Sequence, residues 1–433
     1  MSVENQQAQE LIDFIHQSPS PYHVVNNIKD ELLKAGYGEL DLRNEWNIEK
    51  GGKYFTTKNG SSIFAFQIGT GELEEQGFNM IGAHSDAPSF KIKPNCEMTV
   101  ENNYLKLNTE VYGGPIFSTW FDRPLSIAGR VSLRSNDPLN PESAYIKINR
   151  PLMVIPNLAI HLNREVNSGV NLNAQKDMLP LVAMINKEFE KENFLIKELA
   201  KELNVEADRI LDFDVTLFEF EKGTIFGLNN EFISSPKLDD LAMAHAGLKA
   251  LLQAKDTAKT KMLCIFDNEE VGSQTKQGAG SPVLRHLLQR IAFKLGKNTE
   301  QFHRALYHSF MISADMAHAL HPNITEKHDP TNHPFINKGP VIKIHANQKY
   351  TTDGDSGTVF ETICKDAEVP YQKFVNRSDL VGGSTLGNVS TSQIDLRTVD
   401  MGNPMFGMHS VRETGGVMDN YYVRKVFTHF FNL

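Results

Sequence analysis

Cysteine is scarce in this sequence of 433 residues, which contains only Cys96, Cys264 and Cys364. The three cysteines lie far apart and form no CxxC pair. An odd number of separated cysteines argues against a disulfide framework and against a zinc ribbon. Free thiols are typical of proteins in a reducing compartment, so the cysteine content predicts a cytoplasmic protein.

Long hydrophobic runs and an excess of basic residues are also missing. No apolar run approaches the roughly 18 residues that cross a bilayer, and the N-terminus lacks the layout of a signal peptide. The net charge is −9, with acids and bases mixed along the chain, so we expect no nucleic-acid surface and no membrane partner. A hydrophobic fraction of 40% and a charged fraction of 22% are typical of a globular protein that acts on small molecules or other proteins.

The pattern of apolar residues changes twice along the chain. Residues 1–90 and 236–433 alternate helical segments with short buried strands, which is typical of an α/β domain with a mostly parallel sheet and helices on both faces. Residues 91–235 alternate apolar and polar side chains as antiparallel strands do, apart from one predicted helix over 181–203. The sequence therefore predicts one α/β domain interrupted by an inserted β-rich domain.

Acidic residues and histidines follow several of the predicted core strands, where an α/β sheet binds its ligands. In MLCIFDNEEVGS the apolar strand stops at Asp267, and Glu269 and Glu270 follow side by side. Adjacent carboxylates at a buried strand end repel each other and lose hydration, so an ordinary fold gains nothing from them. Comparable positions after other strands, or at the head of a helix, are occupied by His84, Asp86, Asp239, Asp240, Asp315, His318 and His409.

Imidazole and carboxylate groups at one sheet edge suit zinc and similar divalent ions, which would make the crowding of acids favourable. Each group also has a structural interpretation. A histidine after a strand can be a hydrogen-bonded structural residue, Asp239-Asp240 can cap a helix, Glu269-Glu270 can be a solvated turn, and Lys343 can face water. The coincidence of so many at strand ends favours a metal centre.

Nine segments, in order over almost the whole chain, resemble the aspartyl aminopeptidase family of di-zinc metallopeptidases. They are SPSPYHVV (18–25), GAHSDAP (82–88), STWFDRPLSIAGRV (118–131), IPNLAIHLNRE (155–165), SPKLDDLA (235–242), FDNEEVGS (266–273), SADMAHALHPN (313–323), GPVIKIHANQKY (339–350) and GMHSVRE (407–413). The resemblance implies a di-zinc exopeptidase type of α/β fold. One departure is Asp240, which stands where we expect asparagine in relatives; its effect should be mild, because Asp239 is the ligand.

The resemblance also implies two zinc ions per subunit, with cobalt or manganese as substitutes. It assigns His84 and Asp315 to one ion, Glu270 and His409 to the other, and Asp239 to both. Two ions held about 3.5–4 Å apart bind a water between them and bring its pKa to roughly 7. The implied reaction is hydrolysis of the N-terminal residue from a peptide.

Two acids next to these ligands have catalytic roles in the implied mechanism. Glu269 resembles the general base that takes the proton from the attacking water. Asp86 lies two positions after His84, so both side chains point the same way on an extended chain, and it resembles the acid that orients this imidazole.

Four further residues match positions that contact substrate in the family. His318 and Tyr350 are implied substrate contacts, and Lys343 is implied to face an acidic side chain, which predicts a preference for N-terminal Asp or Glu. His161 in the inserted domain matches a histidine that reaches an active site in the assembled oligomer. His161 could equally be a plain strand histidine, and a third, lower-ranked interpretation makes it a metal ligand.

The family resemblance further implies a homo-oligomer, a tetrahedral dodecamer with inward-facing active sites, in which the β-rich insert is a reasonable interface. Three hypotheses stay open at this point. The first is an aminopeptidase for acidic residues. The second is an aminopeptidase for neutral residues, or a carboxypeptidase or deacylase of the same fold. The third is an inactive scaffold particle. The presence of every expected ligand argues against the inactive particle.

Overall fold

The structure is a computed structural model that describes residues 2–185 and 193–433. The chain divides into two compact units, and the second of them is inserted into the first. The first unit comprises the residues up to Asp86, Gly223–Met408 and Glu413–Leu433, and the second comprises Ala87–Lys222 with His409–Arg412.

The described chain contains helices and strands with the following bounds. The helices are α1 Val3–Gln17, α2 Pro21–Lys34, α3 Leu73–Gln76, α4 Ala174–Asp177, α5 Phe194–Leu203, α6 Leu238–Gln253, α7 Val283–Lys294, α8 Thr299–Tyr307, α9 Gly354–Asp366, α10 Leu386–Thr391 and α11 Val417–Phe431. The strands are β1 Gly38–Glu39, β2 Lys53–Lys58, β3 Ser62–Gln67, β4 Phe78–His84, β5 Ser89–Val100, β6 Tyr104–Tyr112, β7 Leu125–Leu133, β8 Glu142–Lys147, β9 Leu181–Met184, β10 Ile210–Glu219, β11 Thr224–Phe226, β12 Phe232–Ser235, β13 Thr260–Phe266, β14 Phe310–Ala314, β15 Ala317–His318, β16 Val341–Ile344, β17 Gln372–Val375, β18 Arg397–Gly402, β19 Pro404–Phe406 and β20 Glu413–Gly416.

The first unit is built on a nine-stranded sheet in the order β1-β2-β3-β13-β4-β14-β18-β16-β17. Its four central strands, β13, β4, β14 and β18, are parallel to one another. Every residue of β4, β13 and β14 is buried. Strands buried on both faces read as continuous apolar runs, which is why FNMIGAH and KMLCIF could be recognised in the sequence. The predicted fold class, an α/β protein with a mostly parallel sheet, is confirmed.

Two apolar cores cover the two faces of this sheet. On β4, Ile81 and Ala83 belong to one core, whereas Phe78 and Met80 belong to the other, as the period-2 alternation of a strand requires. Helices α1, α2, α6, α9 and α11 contribute to the first core, and α3, α7, α8 and α10 contribute to the second. Helices therefore lie on both faces, which fixes the ends of β4, β13 and β14 on a rigid support.

A small five-stranded sheet in the first unit was not predicted. Its order is β11-β12-β20-β19-β15, and its strands have between two and four residues. Runs this short show no clear alternation of apolar and polar side chains, so sequence patterns do not find them. Because β11 and β12 pair within this sheet, the structure ends the insert at Lys222, and not at residue 235.

The second unit contains a six-stranded antiparallel sheet in the order β8-β7-β10-β5-β6-β9. Its apolar core includes Trp120, Ile127 and Leu217. The helix predicted over residues 181–203 is wrong in its first part, where Leu181–Met184 pairs with β6 as an edge strand. The helix itself begins at Phe194, and residues 186–192 lie outside the described residues.

All three cysteines are buried and free. Burial raises the pKa of the Cys96 and Cys364 thiols to about 12, and it raises the pKa of Cys264 as well. Within residues 2–185 and 193–433, no helix has the length and apolar character needed to cross a membrane.

Candidate metal centre

Three neighbouring parallel strands bring the predicted metal ligands of the first unit together. Strand β4 lies between β13 and β14, so the carboxyl ends of all three strands meet at one edge of the sheet. His84 ends β4, the turn Glu269–Val271 follows β13, and Asp315 follows β14. Asp239 reaches the same edge from the first turn of α6. Segments more than 200 residues apart in sequence thus supply one cluster.

His84 is 1% exposed, and each of its two ring nitrogens has an acidic neighbour. Its Nε2 lies 3.5 Å from Oδ1 of Asp239. Its Nδ1 lies 3.1 Å from the carbonyl oxygen of Asp86 and 3.3 Å from Oδ1 of the same residue. Burial lowers the pKa of His84, but the carboxylates of Asp239 and Asp86 outweigh burial and raise this pKa well above the usual 6.5. A divalent cation on the Nε2 side would take the place of that proton.

Asp86 joins His84 to the pair of glutamates that follows β13. Its Oδ1 accepts a hydrogen bond from the backbone N–H of Glu269, and its Oδ2 accepts one from the N–H of Glu270, both at 3.1 Å. Since Asp86 also contacts the His84 ring, one buried carboxylate orients an imidazole and fixes the backbone of the adjacent glutamates. The positioning role of Asp86 stays a prediction.

Two groups of side chains offer ligand atoms that all lie within 4.8 Å of one another. Both groups lie in the first unit and include His84. The first group is His84, Asp239, Asp240 and Asp315. The second group is His84, Glu269 and Glu270. Carboxylate oxygen and imidazole nitrogen are the donor types that zinc accepts in catalytic sites. The residues present therefore fit a divalent transition metal.

The carboxyl groups of this cluster hold their protons unusually well. Burial is the largest cause in each case, and neighbouring carboxylates add to it. Together they raise the pKa of Glu269 to about 8 and that of Asp267 to about 7, and they raise the pKa values of Glu270, Asp240 and Asp315 as well. The carboxyl groups of this site outnumber its positive groups, and one or two divalent cations would supply the missing positive charge.

Two buried acids support the cluster in a way that the sequence did not reveal. Oδ2 of Asp240 accepts a hydrogen bond of 3.1 Å from the backbone N–H of His84. Oε2 of Glu413 accepts one of 3.1 Å from the N–H of Asp239. The sequence predicts Asp240 as an acid near the strand ends, a possible helix cap or a mild replacement of asparagine, and it indicates no role for Glu413. The motifs SPKLDDLA and GMHSVRE, which contain these two acids, are the signal that the sequence offers for them.

The structure places Lys343 and Tyr350 beside the cluster. The ammonium of Lys343 is buried, 3.6 Å from Oδ2 of Asp315 and 5.6 Å from the centre of the Tyr350 ring. Lys343 therefore does not face water. Burial lowers the pKa of Lys343, and the nearby carboxylate of Asp315 is the main group that raises it. The net pKa is raised, so the ammonium stays charged. His318 is exposed in β15, with its ring 5.9 Å from that of Phe374.

Two predicted site residues belong to the second unit and are described with it. Nδ1 of His409 lies 3.1 Å from the carbonyl oxygen of Gly114. Because a carbonyl oxygen can only accept a hydrogen bond, Nδ1 is the donor and the lone pair of the neutral ring is on Nε2. His161 is exposed and lies in a turn, so the alternative of a strand histidine is wrong. The roles of His409 and His161 stay predictions.

A buried cluster of acids and a histidine at the carboxyl edge of a parallel α/β sheet defines a metal-dependent hydrolase type of site. Comparison with known proteins makes the class specific. Residues 14–431 match the family model described as Aminopeptidase I zinc metalloprotease (M18). The chain therefore belongs to the M18 family of zinc aminopeptidases, which confirms the predicted enzyme class.

Relatives of known sequence and structure match over nearly the full length. The "Probable M18 family aminopeptidase 2" of Clostridium acetobutylicum is 55% identical over 433 residues, covering 100% of both chains. The cryo-EM structure of an Ape4 and Nbr1 complex matches with a TM-score of 0.94 and 38% identity, covering 99% of this chain and 86% of that one. The mApe1 dodecamer of S. cerevisiae matches with a TM-score of 0.86 and 29% identity, covering 99% of this chain and 97% of that one.

Proposed function

We propose that this M18 aminopeptidase uses two zinc ions to remove N-terminal residues from peptides, with a preference for Asp or Glu. The observation that carries the proposal is the pair of ligand groups that share His84 at the carboxyl edge of the sheet. A single ion would leave many of these buried carboxylates without compensating charge, and two ions neutralise them better.

We assign His84 and Asp315 to one ion, Glu270 and His409 to the other, and Asp239 to both. The hydrogen bonds of the two histidines support the assignment. In each, Nδ1 faces a backbone carbonyl oxygen at 3.1 Å, so Nδ1 is the donor and the lone pair that can bind a metal is on Nε2. Metal-binding histidines commonly donate their other N–H in this way, because it fixes the tautomer and the direction of the ring.

The residues of the chain then divide the chemistry between them. Zinc, when bound, polarises the scissile carbonyl and lowers the pKa of water. Glu269 accepts the proton of the attacking water at its carboxylate and passes it to the leaving amine. The hydrogen bond from its N–H to Asp86 holds the Glu269 backbone in place for both transfers. Asp86 also keeps the His84 ring directed at the cluster.

Removal of metal tests this proposal directly. Exhaustive chelation should abolish hydrolysis of an aminoacyl anilide, and added zinc should restore it while metal analysis finds two ions per subunit. Hydrolysis that persists in fully metal-free protein would contradict the mechanism. A loaded protein with two ions and no activity on any peptide would instead favour the inactive particle.

The acidic preference is supported by the buried ammonium of Lys343. A cation bound at Asp315 would compete with Lys343 for that carboxylate, which lies 3.6 Å away. The ammonium would then be available to a substrate carboxylate, and an apolar substrate would leave it buried without a partner. We keep His318 and Tyr350 as proposed substrate contacts.

The same ion pair also favours the second candidate, an aminopeptidase for neutral residues, because a lysine paired with Asp315 need not contact substrate. Rates on Asp-, Glu- and Leu-anilides distinguish the two, and N-acetylated versions test for the deacylase. If Lys343 recognises acid, K343M should lower the ratio of Asp to Leu rates by about 100-fold. The control is K349M, since the Lys349 ammonium donates to the carbonyl oxygen of Gly382. An unchanged ratio in K343M would exclude the acidic site at Lys343.

We also propose a homo-oligomer, a tetrahedral dodecamer, in the cytoplasm. Support comes from the structural neighbour described as a dodecamer and from the three free cysteines. In the second unit, the exposed turn around His161 carries large apolar side chains, including Leu162, which is 74% exposed. Surfaces of this kind commonly become buried in an assembly, where His161 would contact substrate. Light scattering of the purified protein gives the subunit number.

A further inference from the structure

His409 lies in a four-residue segment, the histidine segment (His409–Arg412), that is part of the second unit. Backbone and side-chain contacts tie the segment to this unit. Nδ1 of His409 lies 3.1 Å from the carbonyl oxygen of Gly114. The N–H of Val411 donates to Oγ1 of Thr119 at 2.9 Å, and the Val411 side chain is buried in the apolar core of the unit.

The last residue of the segment, Arg412, makes its strongest contacts with Glu219 at the end of β10. Nε and Nη2 of Arg412 each lie 3.0 Å from Oε2 of Glu219, whose side chain is fully buried. The same guanidinium donates to the carbonyl oxygens of Glu221 and Lys222, at 3.0 and 3.2 Å. A buried, charge-assisted pair with several donors fixes both distance and direction, which an exposed pair does not.

The backbone of His409 needs such an anchor. Its φ angle is +69°, in the left-handed region that residues with a side chain rarely adopt. Such a conformation persists where the surrounding contacts over-determine it, and it is common at functional sites. The contacts of the histidine segment hold His409 from both sides, through Gly114 at the ring and through Arg412 three residues further on.

We propose that Arg412 and Glu219 are positioning residues for metal binding. The Arg412–Glu219 pair fixes the histidine segment to the rest of the second unit, so that Nε2 of His409 points in one direction. The inference rests on the proposed function in one respect, the assignment of His409 as a zinc ligand.

Three variants test the proposal. E219Q removes the charge that holds Arg412. T119V removes the acceptor of the Val411 N–H without changing any charge, so it remains informative if E219Q folds poorly. The matched control is E221Q, because the Glu221 side chain is 58% exposed and its carboxylate lies 4.0 Å from Arg412.

Two measurements on each variant separate positioning from stability. Hydrogen exchange of the metal-free protein reports the protection of the Val411 amide, which should fall by about 10-fold or more in E219Q and T119V. Competition with a chelator gives the affinity for each of the two zinc ions. One ion should bind about 10–100-fold more weakly in both variants, while the other ion and the E221Q protein behave as wild type.

Each contrary result overturns a different step. Unchanged exchange at Val411 in E219Q and T119V refutes the anchoring. Faster exchange with wild-type affinity for both ions shows that the anchor is structural and refutes the positioning role. If H409A also binds both ions as tightly as wild type, the ligand assignment fails, and the proposal fails at its premise although exchange still reports the anchor.

Discussion

Asp86 is the residue whose replacement by asparagine tests the architecture of the cluster most sharply. In the wild type its two carboxylate oxygens accept the N–H groups of Glu269 and Glu270, each at 3.1 Å, and Oδ1 lies 3.3 Å from Nδ1 of His84. Asparagine has nearly the same shape, but it offers one oxygen and one NH₂ group. In D86N one of the two backbone N–H groups must therefore face a donor.

The size of the effect follows from these contacts. A hydrogen bond to a charged acceptor contributes about 1.5–3 kcal/mol, so the metal-loaded D86N protein should lose about 2 kcal/mol in its free energy of unfolding. The metal-free protein should lose less, because D86N also removes one charge from a crowd of buried carboxyl groups. Loss of an acid that orients a metal-binding histidine commonly costs 10–100-fold, so kcat/KM should fall by about that factor.

The assay combines urea unfolding, metal analysis and kcat/KM on one preparation. The control is D267N, because Asp267 is a nearby buried acid whose pKa burial already raises to about 7. Asparagine keeps an oxygen that can accept the N–H of Asn268, as Oδ1 of Asp267 does at 2.7 Å, so D267N should stay closer to wild type than D86N. Wild-type kcat/KM and wild-type metal affinity in D86N would refute the reasoning that Asp86 positions both His84 and the glutamates.

Two further predictions concern proton transfer and stability. E269Q should keep two metal ions per subunit while kcat falls about 10²–10⁴-fold; normal turnover would exclude Glu269 as the base. Burial, with Lys249 and Arg424, lowers the pKa of His245 well below 6.5, so the folded protein keeps this ring neutral. Since only the unfolded chain takes up the proton, stability falls as the pH drops through 6.5. Between pH 7 and 5, H245F should lose about 2 kcal/mol less than wild type in urea unfolding, and equal losses would contradict this pKa.

Most of the site residues that the sequence predicts lie at the ends of apolar strands, and Asp239, at the head of α6, is an exception. His84 is the last residue of a buried parallel strand, Asp315 directly follows another, and Glu269 and Glu270 follow β13 within a single turn. Because a parallel sheet brings such strand ends to one edge, local sequence was enough to group them. The fold class could be predicted for the same reason.

The unpredicted parts depend on contacts between distant segments. Asp240 bonds the backbone of His84, and Glu413 bonds that of Asp239 across 174 residues. No local pattern records which backbone group a buried acid will meet. The helix predicted over 181–203 failed differently, because the apolar run Leu181–Met184 suits an edge strand as well as a helix, and only its pairing with β6 decides.

The burial of all three cysteines makes the natural chain a convenient background for site-specific labelling. Thiols that are enclosed and hard to ionise react slowly with maleimides, since the thiolate is the reactive form. One cysteine introduced at Tyr307, which is 71% exposed and lies away from the turn around His161 in sequence, would then be the preferred point of attachment for a fluorophore. Energy transfer between labelled subunits could follow their association in real time, without first preparing a cysteine-free protein.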